Sequence, residues 1–144
     1  MTIEQKQQDI IDEFGIFEDW MEKYEYIIEL GKELPVIDAA KKTDDRLIEG
    51  CQSRVWLDAE VDHGKMKFSA DSDAIITKGI IALLIRVLNN EAPADIARAD
   101  LHFISDIGLQ EHLSPTRANG LASMVKRLKI EALRGEADTR VKGE

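Results

Sequence analysis

Apolar positions recur at three- and four-residue spacing near both ends of the chain and alternate in its middle. Ile3, Ile10, Ile11 and Phe14 share one helical face, and Gly15 follows as a stop signal. A second helix is predicted from near Glu18 and Asp19, whose charges favour a helix amino end. Trp20, Tyr24, Ile27, Ile28 and Leu34 continue its apolar face, and Gly31 and Pro35 bound it. Residues 36–46 read as a polar loop.

The period then changes to two. Val55, Leu57, Ala59 and Val61 alternate with Trp56, Asp58, Glu60 and Asp62. After the turn Asp62-His63-Gly64-Lys65, the residues Met66, Phe68 and Ala70 alternate again. This predicts an antiparallel hairpin with one buried face, and Leu47 and Ile48 suit a short strand leading into it. Asp71-Ser72-Asp73 offers caps for a helix from about Ala74 to Asn89. That helix is apolar nearly all round, which places it centrally against the sheet. Gly79 inside it costs ~1 kcal/mol relative to alanine, and a close approach between helix and strand would explain its presence.

Pro93 opens a short helix to about Asp100, and another fits Phe103 to Ile107 within an otherwise ambiguous stretch. Ser114-Pro115 starts the last helix, with a hydroxyl cap before proline at the first helical position. Leu121, Met124, Val125, Leu128 and Leu133 form its apolar stripe. From Gly135 the chain turns polar, so 135–144 is expected to be a frayed tail. The fold class is α+β: a small antiparallel sheet packed by helices, in a single domain spanning 1–144.

Composition narrows the functions. At 144 residues and 44% hydrophobic, the chain has material for one core. A formal charge of −9 argues against nucleic acid and anionic membranes as partners, because both reward positive charge. The acid is concentrated at the front, and the last thirty residues are mildly basic. One cysteine excludes an internal disulfide framework and a Cys-rich metal site built by this chain alone, and a lone thiol suits a reducing cytosol. Met1 to Lys6 lacks the basic and apolar regions of a signal peptide. The longest apolar stretch, 74–88, contains Lys78 and Arg86 and falls short of the ~20 residues a span needs. A soluble cytoplasmic protein is expected.

Cys51 is the chemically distinctive residue. It lies in Glu49-Gly50-Cys51-Gln52-Ser53-Arg54-Val55-Trp56, between loop and strand. Gly50 permits positive φ, and Gln52 and Ser53 bring hydrogen-bonding groups. Two readings stand: a small buried hydrophobe, as free cysteine often is, or a reactive thiol. A thiol hydrolase would need a base within reach of Cys51, most simply His112. His63 suits the hairpin tip; His102 and His112 suit the surface or helix ends better than a metal site. Asp73 is most simply a helix cap and Lys78 a snorkelling side chain. Arg117 opposes its own helix dipole, which suggests a role outside that helix. Trp56 faces away from Val55 and Leu57, so it either meets a second layer or stands exposed for a partner.

Four blocks in order resemble the SufE family, the sulfur-acceptor partners of cysteine desulfurases in iron–sulfur cluster assembly. They are Trp20 to Gly31 with Leu34-Pro35; Ile48-Glu49-Gly50-Cys51-Gln52-Ser53-Arg54-Val55-Trp56; Asp71-Ser72-Asp73-Ala74 with Lys78-Gly79; and His112-Leu113-Ser114-Pro115-Thr116-Arg117 with Gly120-Leu121. Ala70 stands where a glycine is common, and residues 1–15 and 135–144 carry no family pattern.

The resemblance implies an α+β fold like that of the scaffold IscU. It implies that Cys51 takes sulfur as a persulfide from a SufS-like cysteine desulfurase, stimulates that enzyme, and delivers to an iron–sulfur scaffold such as SufBCD. The chain would be a carrier rather than an enzyme, with no metal and no cofactor of its own; pyridoxal phosphate would belong to the desulfurase. Gly50, Gln52, Ser53, Arg54, Trp56, Asp73, Lys78, His112 and Arg117 would support the loop or touch the partner. A CsdE-like paralogue serving another desulfurase or thio-cofactor pathway is the alternative. Glu49 would raise the Cys51 pKa, whereas Arg54 and Arg117 would lower it. Asp73 and Arg117 could anchor the loop from two helix starts, and apolar neighbours would shield the persulfide.

Overall fold

The computed structural model describes residues 1–142, with side chains through residue 137. Helix α1 (Ile3–Phe14) starts at Thr2, whose hydroxyl accepts from the Gln5 amide at 3.1 Å while the Gln5 side chain accepts from the Thr2 amide at 2.8 Å. This reciprocal pair satisfies two amides that the first turn leaves open. Helix α2 (Trp20–Leu30) is capped by Asp19, which accepts from the Glu22 amide at 2.9 Å. The predicted polar loop contains two short 3₁₀ turns, Ala39–Lys41 and Asp44–Arg46.

Strands β1 (Val55–Asp62) and β2 (Lys65–Ser72) form a two-stranded antiparallel sheet in the register Val55↔Ser72 to Asp62↔Lys65. Positive φ at His63 and Gly64 makes the tight connection that matches strand twist. Val55, Leu57, Met66, Phe68 and Ala70 are its buried face. Single bridges, Leu47 to Trp56 and Val36 to Ala70, widen the sheet locally.

Helix α3 (Ile75–Leu88) is buried at every position except Ile75, Lys78 and Arg86, and it packs between β2 and α2. Two expectations change here. A Cβ on Gly79 would overlap the Ile27 carbonyl, so the close approach is to helix α2 and not to a strand. Gly31 faces the same contact, where a Cβ would lie 3.1 Å from the Gly79 nitrogen. The cap also differs: Ala74 is the N-cap of α3, and the Ser72 hydroxyl accepts from the Ala74 amide at 3.2 Å. Asp73 is used elsewhere.

Three short helices follow: α4 (Pro93–Arg98), α5 (Phe103–Asp106) and α6 (Leu109–His112), the last two joined through Gly108 at φ 79. Gln7, 1% exposed, ties α1 to them: its amide nitrogen donates to the Asp100 carbonyl and its oxygen accepts from the Phe103 amide, each at 3.1 Å. Helix α7 (Pro115–Lys142) packs on α4, α3 and β1. Among the described residues its buried apolar side chains are Leu121, Met124, Leu128 and Ala132, a clean helical progression. Leu133, predicted in that stripe, is 54% exposed because it sits one step off it. The helix continues past the predicted onset of fraying. Gly135 is buried against Met66 and Val61, where a side chain would collide, so the hairpin supports this part of the helix. The rest of the expected tail lies largely outside the described side chains.

Candidate functional site

Residues 49–54 form a loop closed at its base, where the Ile48 amide donates to the Val55 carbonyl at 2.8 Å. Gly50 takes φ 91, and a Cβ there would strike the Ser123 side chain of α7. Both the conformation and the space require glycine. The outgoing limb is tied to the start of α3. The Arg54 amide donates to Asp73 Oδ1 at 3.0 Å, and the Arg54 carbonyl accepts from the Asp73 amide at 3.3 Å and from the Ser72 hydroxyl at 2.8 Å. Ser53 Oγ donates to Thr77 Oγ1 at 3.0 Å.

These ties hold Cys51 half-buried against α7, with its thiol directed at the Gly120 carbonyl at 3.6 Å. Gly120 has no side chain, so the sulfur packs directly on the helix. Beside it lies a cavity of about 220 Å³, whose lining includes Gln52, Ser53, Thr77, Ile80, Arg117 and Met124. Burial pushes the Cys51 pKa above its ordinary value, because the thiolate loses hydration. Sequence left the direction open between Glu49 and the two arginines; burial decides it. Held this way the sulfur is a neutral thiol, suited to exchange with a sulfur–sulfur bond only once it ionises.

Of the predicted site residues, Gly50, Gln52, Ser53, Arg54, Asp73 and Arg117 gather around Cys51. Arg117 lines the cavity, while the hydrogen bonds that tie the outgoing limb come from Ser72, Asp73 and Thr77. Three residues lie elsewhere. Lys78 pairs with Asp71 at 3.4 Å. Trp56 is half-buried on the outer face of β1, with the Lys42 ammonium 5.2 Å from its ring. His112 stacks on Trp20 at 4.6 Å and its Nδ1 bonds the Gly108 carbonyl at 2.8 Å, so it does not serve the thiol as a base. No histidine lines the cavity.

His63 contacts Asp62 at 2.7 Å, and His102 contacts Glu4 and Asp106 at 2.8 and 2.6 Å, well apart in the chain from Cys51. Among the described residues no three His, Cys, Asp or Glu side chains converge as a metal site. Sequence reasoning missed Thr77, Ser123 and Met124 as parts of the site. Thr77 had a readable clue, being a hydroxyl in an otherwise apolar helix; Ser123 and Met124 had none beyond helical spacing.

A family model described as the SufE Fe-S metabolism associated domain matches residues 8–132. The chain belongs to the SufE family. An uncharacterized SufE-like protein of Rhizobium meliloti is 39% identical over 128 residues, covering 85% of this chain and 91% of that protein. An uncharacterized SufE-like protein of Rhizobium etli is 41% identical, with coverage of 85% and 86%. SufE-like protein 1, chloroplastic/mitochondrial, of Arabidopsis thaliana is 39% identical over 140 residues, and this chain spans 37% of its length. The solution structure of a hypothetical protein from Thermus thermophilus shares the fold, with TM-score 0.76 at 20% identity and coverage of 92% and 96%. SufE membership supports a sulfur-transfer role with a cysteine desulfurase as partner. Among the described residues no helix is long and apolar enough to cross a membrane.

Proposed function

We propose that this SufE-family chain is a persulfide carrier whose acceptor is Cys51. The Cys51 thiolate attacks the outer sulfur of a persulfide on a desulfurase cysteine. A new bond forms from Cys51 to that sulfur, the old sulfur–sulfur bond breaks, and the desulfurase cysteine leaves as a thiolate. One thiol and one persulfide give one thiol and one persulfide, so no external oxidant or reductant is needed. The chain stimulates the desulfurase by clearing its persulfide and delivers the sulfur to an iron–sulfur scaffold such as SufBCD. It carries no cofactor or metal of its own, and pyridoxal phosphate stays with the desulfurase. It acts in the cytoplasm, without nucleic acid or membrane as a partner.

One observation supports this most: the half-buried Cys51 thiol at the tip of a tethered loop, beside a cavity of about 220 Å³. A water-sized group takes about 30 Å³, so a second sulfur atom has room beside Cys51. Ionisation is unfavourable in this resting position, and docking that lifts the loop would restore it. The test is sulfide release by a purified SufS-type desulfurase with cysteine and a reductant. Wild-type protein should accelerate turnover and Cys51→Ser should not. Equal acceleration by both would remove Cys51 from the reaction, and a response only with a different desulfurase would favour the paralogous relay.

A further inference from the structure

We propose that Arg127 is the positioning residue for the Cys51 thiol, acting through the incoming limb of its loop; this rests on the reading of Cys51 as the acceptor. The outgoing limb is held by α3 through Asp73. The incoming limb is held by α7. Arg127 Nη1 donates to the Leu47 carbonyl and Nη2 to the Asp45 carbonyl, each at 3.0 Å. Its Nε donates to Glu131 Oε1 at 3.1 Å, which fixes the guanidinium from its own helix, and Arg134 braces the same carboxylate at 2.7 Å. Arg127 and Glu131 side chains are only 20% and 17% exposed.

Spacing on α7 gives the arrangement its consequence. Gly120, Ser123 and Arg127 stand three and four residues apart, so they share one face of the helix. Gly120 accepts the thiol, Ser123 lies under Gly50, and Arg127 holds the limb. Only Ile48, Glu49 and Gly50 separate Leu47 from Cys51. A movement at Leu47 therefore passes along a short, closed segment to the sulfur. Ile48, 5% exposed, attaches the limb by burial, but burial is non-directional. The forked guanidinium adds orientation, because N–H groups on both of its terminal nitrogens, set rigidly in one plane, bond two carbonyls at once. A lysine ammonium could reach those carbonyls but lacks the rigid fork that fixes their angle. Without the fork the groove beside it, lined also by Asp44, Asp45 and Glu49, admits water to both carbonyls. The limb then drifts and Cys51 leaves Gly120.

The experiment compares iodoacetamide labelling of Cys51 in the full free chain at neutral pH, well below the thermal midpoint, for wild type, Arg127→Gln, Arg127→Lys and Lys126→Gln. Arg127→Gln should label severalfold faster than wild type, Arg127→Lys in between, and Lys126→Gln at the wild-type rate. A general loss of stability would not give that order; Ile96→Val, a core change in α4, should lower the midpoint and leave labelling unchanged. Wild-type labelling in folded Arg127→Gln overturns the proposal. If Arg127→Gln does not fold, Arg127→Lys decides it, and labelling equal to wild type overturns it. Sulfur uptake from a desulfurase is measured on the same samples. Wild-type protein that takes no sulfur overturns the acceptor reading, while the labelling series still decides what positions the thiol.

Discussion

Asp73 holds the Arg54 backbone at both ends: its carboxylate accepts from the Arg54 amide at 3.0 Å, and its own amide donates to the Arg54 carbonyl at 3.3 Å. This pair joins the start of α3 to the limb that leaves Cys51. Its carboxylate bond is charge-assisted but exposed, so its contribution is about 1 kcal/mol rather than the upper end for charged hydrogen bonds. Asp73→Arg should therefore release the limb without unfolding the domain. Iodoacetamide labelling of Cys51 should accelerate in Asp73→Arg and stay near wild type in Asp73→Asn, which keeps an acceptor. Unchanged labelling in the charge reversal would remove Asp73 from the loop's anchors.

Gly50 is the second point of control. Alanine there would adopt φ 91, where a Cβ also meets the Ser123 hydroxyl. Left-handed backbone alone costs roughly 1–2 kcal/mol for an L side chain. Gly50→Ala should lower the denaturant midpoint and disturb Cys51 labelling. Adding Ser123→Ala should recover part of the loss, since it removes the overlap and not the torsion. A Gly50→Ala protein as stable as wild type would contradict this geometry.

Gly79, in a different family block, provides a contrast. Alanine would overlap the Ile27 carbonyl and push α2 from α3. Overpacking of this kind costs about 1–3 kcal/mol. Thermal unfolding should show a lower midpoint, while Cys51 labelling of the folded protein stays unchanged. Faster labelling would mean that the α2–α3 contact reaches the loop.

The resting thiol sets a pH dependence. Burial raises the Cys51 pKa in the fold, so the free chain should show a labelling midpoint above the ~8.5 of ordinary cysteine. The neutral thiol's share of stability is complete below the ordinary thiol range and is lost as pH rises through the folded value. Cys51→Ser should flatten that alkaline loss. Docking to a desulfurase should lower the labelling midpoint of residues left unreacted. A midpoint below the ordinary thiol value in the free chain would refute activation by docking.

The long elements were legible because each buries one face at a regular period. Ile10 and Phe14 on α1, Leu57 and Phe68 on the hairpin, and Leu121 and Leu128 on α7 all fall inside. Cys51 was legible from its glycine neighbour and from the family blocks. What the sequence hid was the use of each polar group. Asp73 sits where a cap belongs, yet its carboxylate reaches the Arg54 amide 19 residues earlier. Gly79 has the same composition signal whether a strand or a helix approaches. Arg127 reads as one more cation on a polar helix face until tertiary packing brings Leu47 and Asp45 beneath it. His112 looked available as a base because nothing local reveals that Trp20 stacks on it. Local pattern records periodicity and propensity, whereas these partners are set by contacts distant in sequence.

Sulfur capture by Cys51 is tested most directly by intact-mass spectrometry after mixing the protein with a SufS-type cysteine desulfurase and cysteine, comparing wild type with Cys51→Ser. Wild type should gain one sulfur atom, reversed by a reductant and absent from the variant. An equal gain on Cys51→Ser, or none on wild type whose Cys51 remains open to alkylation, would contradict the assignment of Cys51 as the acceptor.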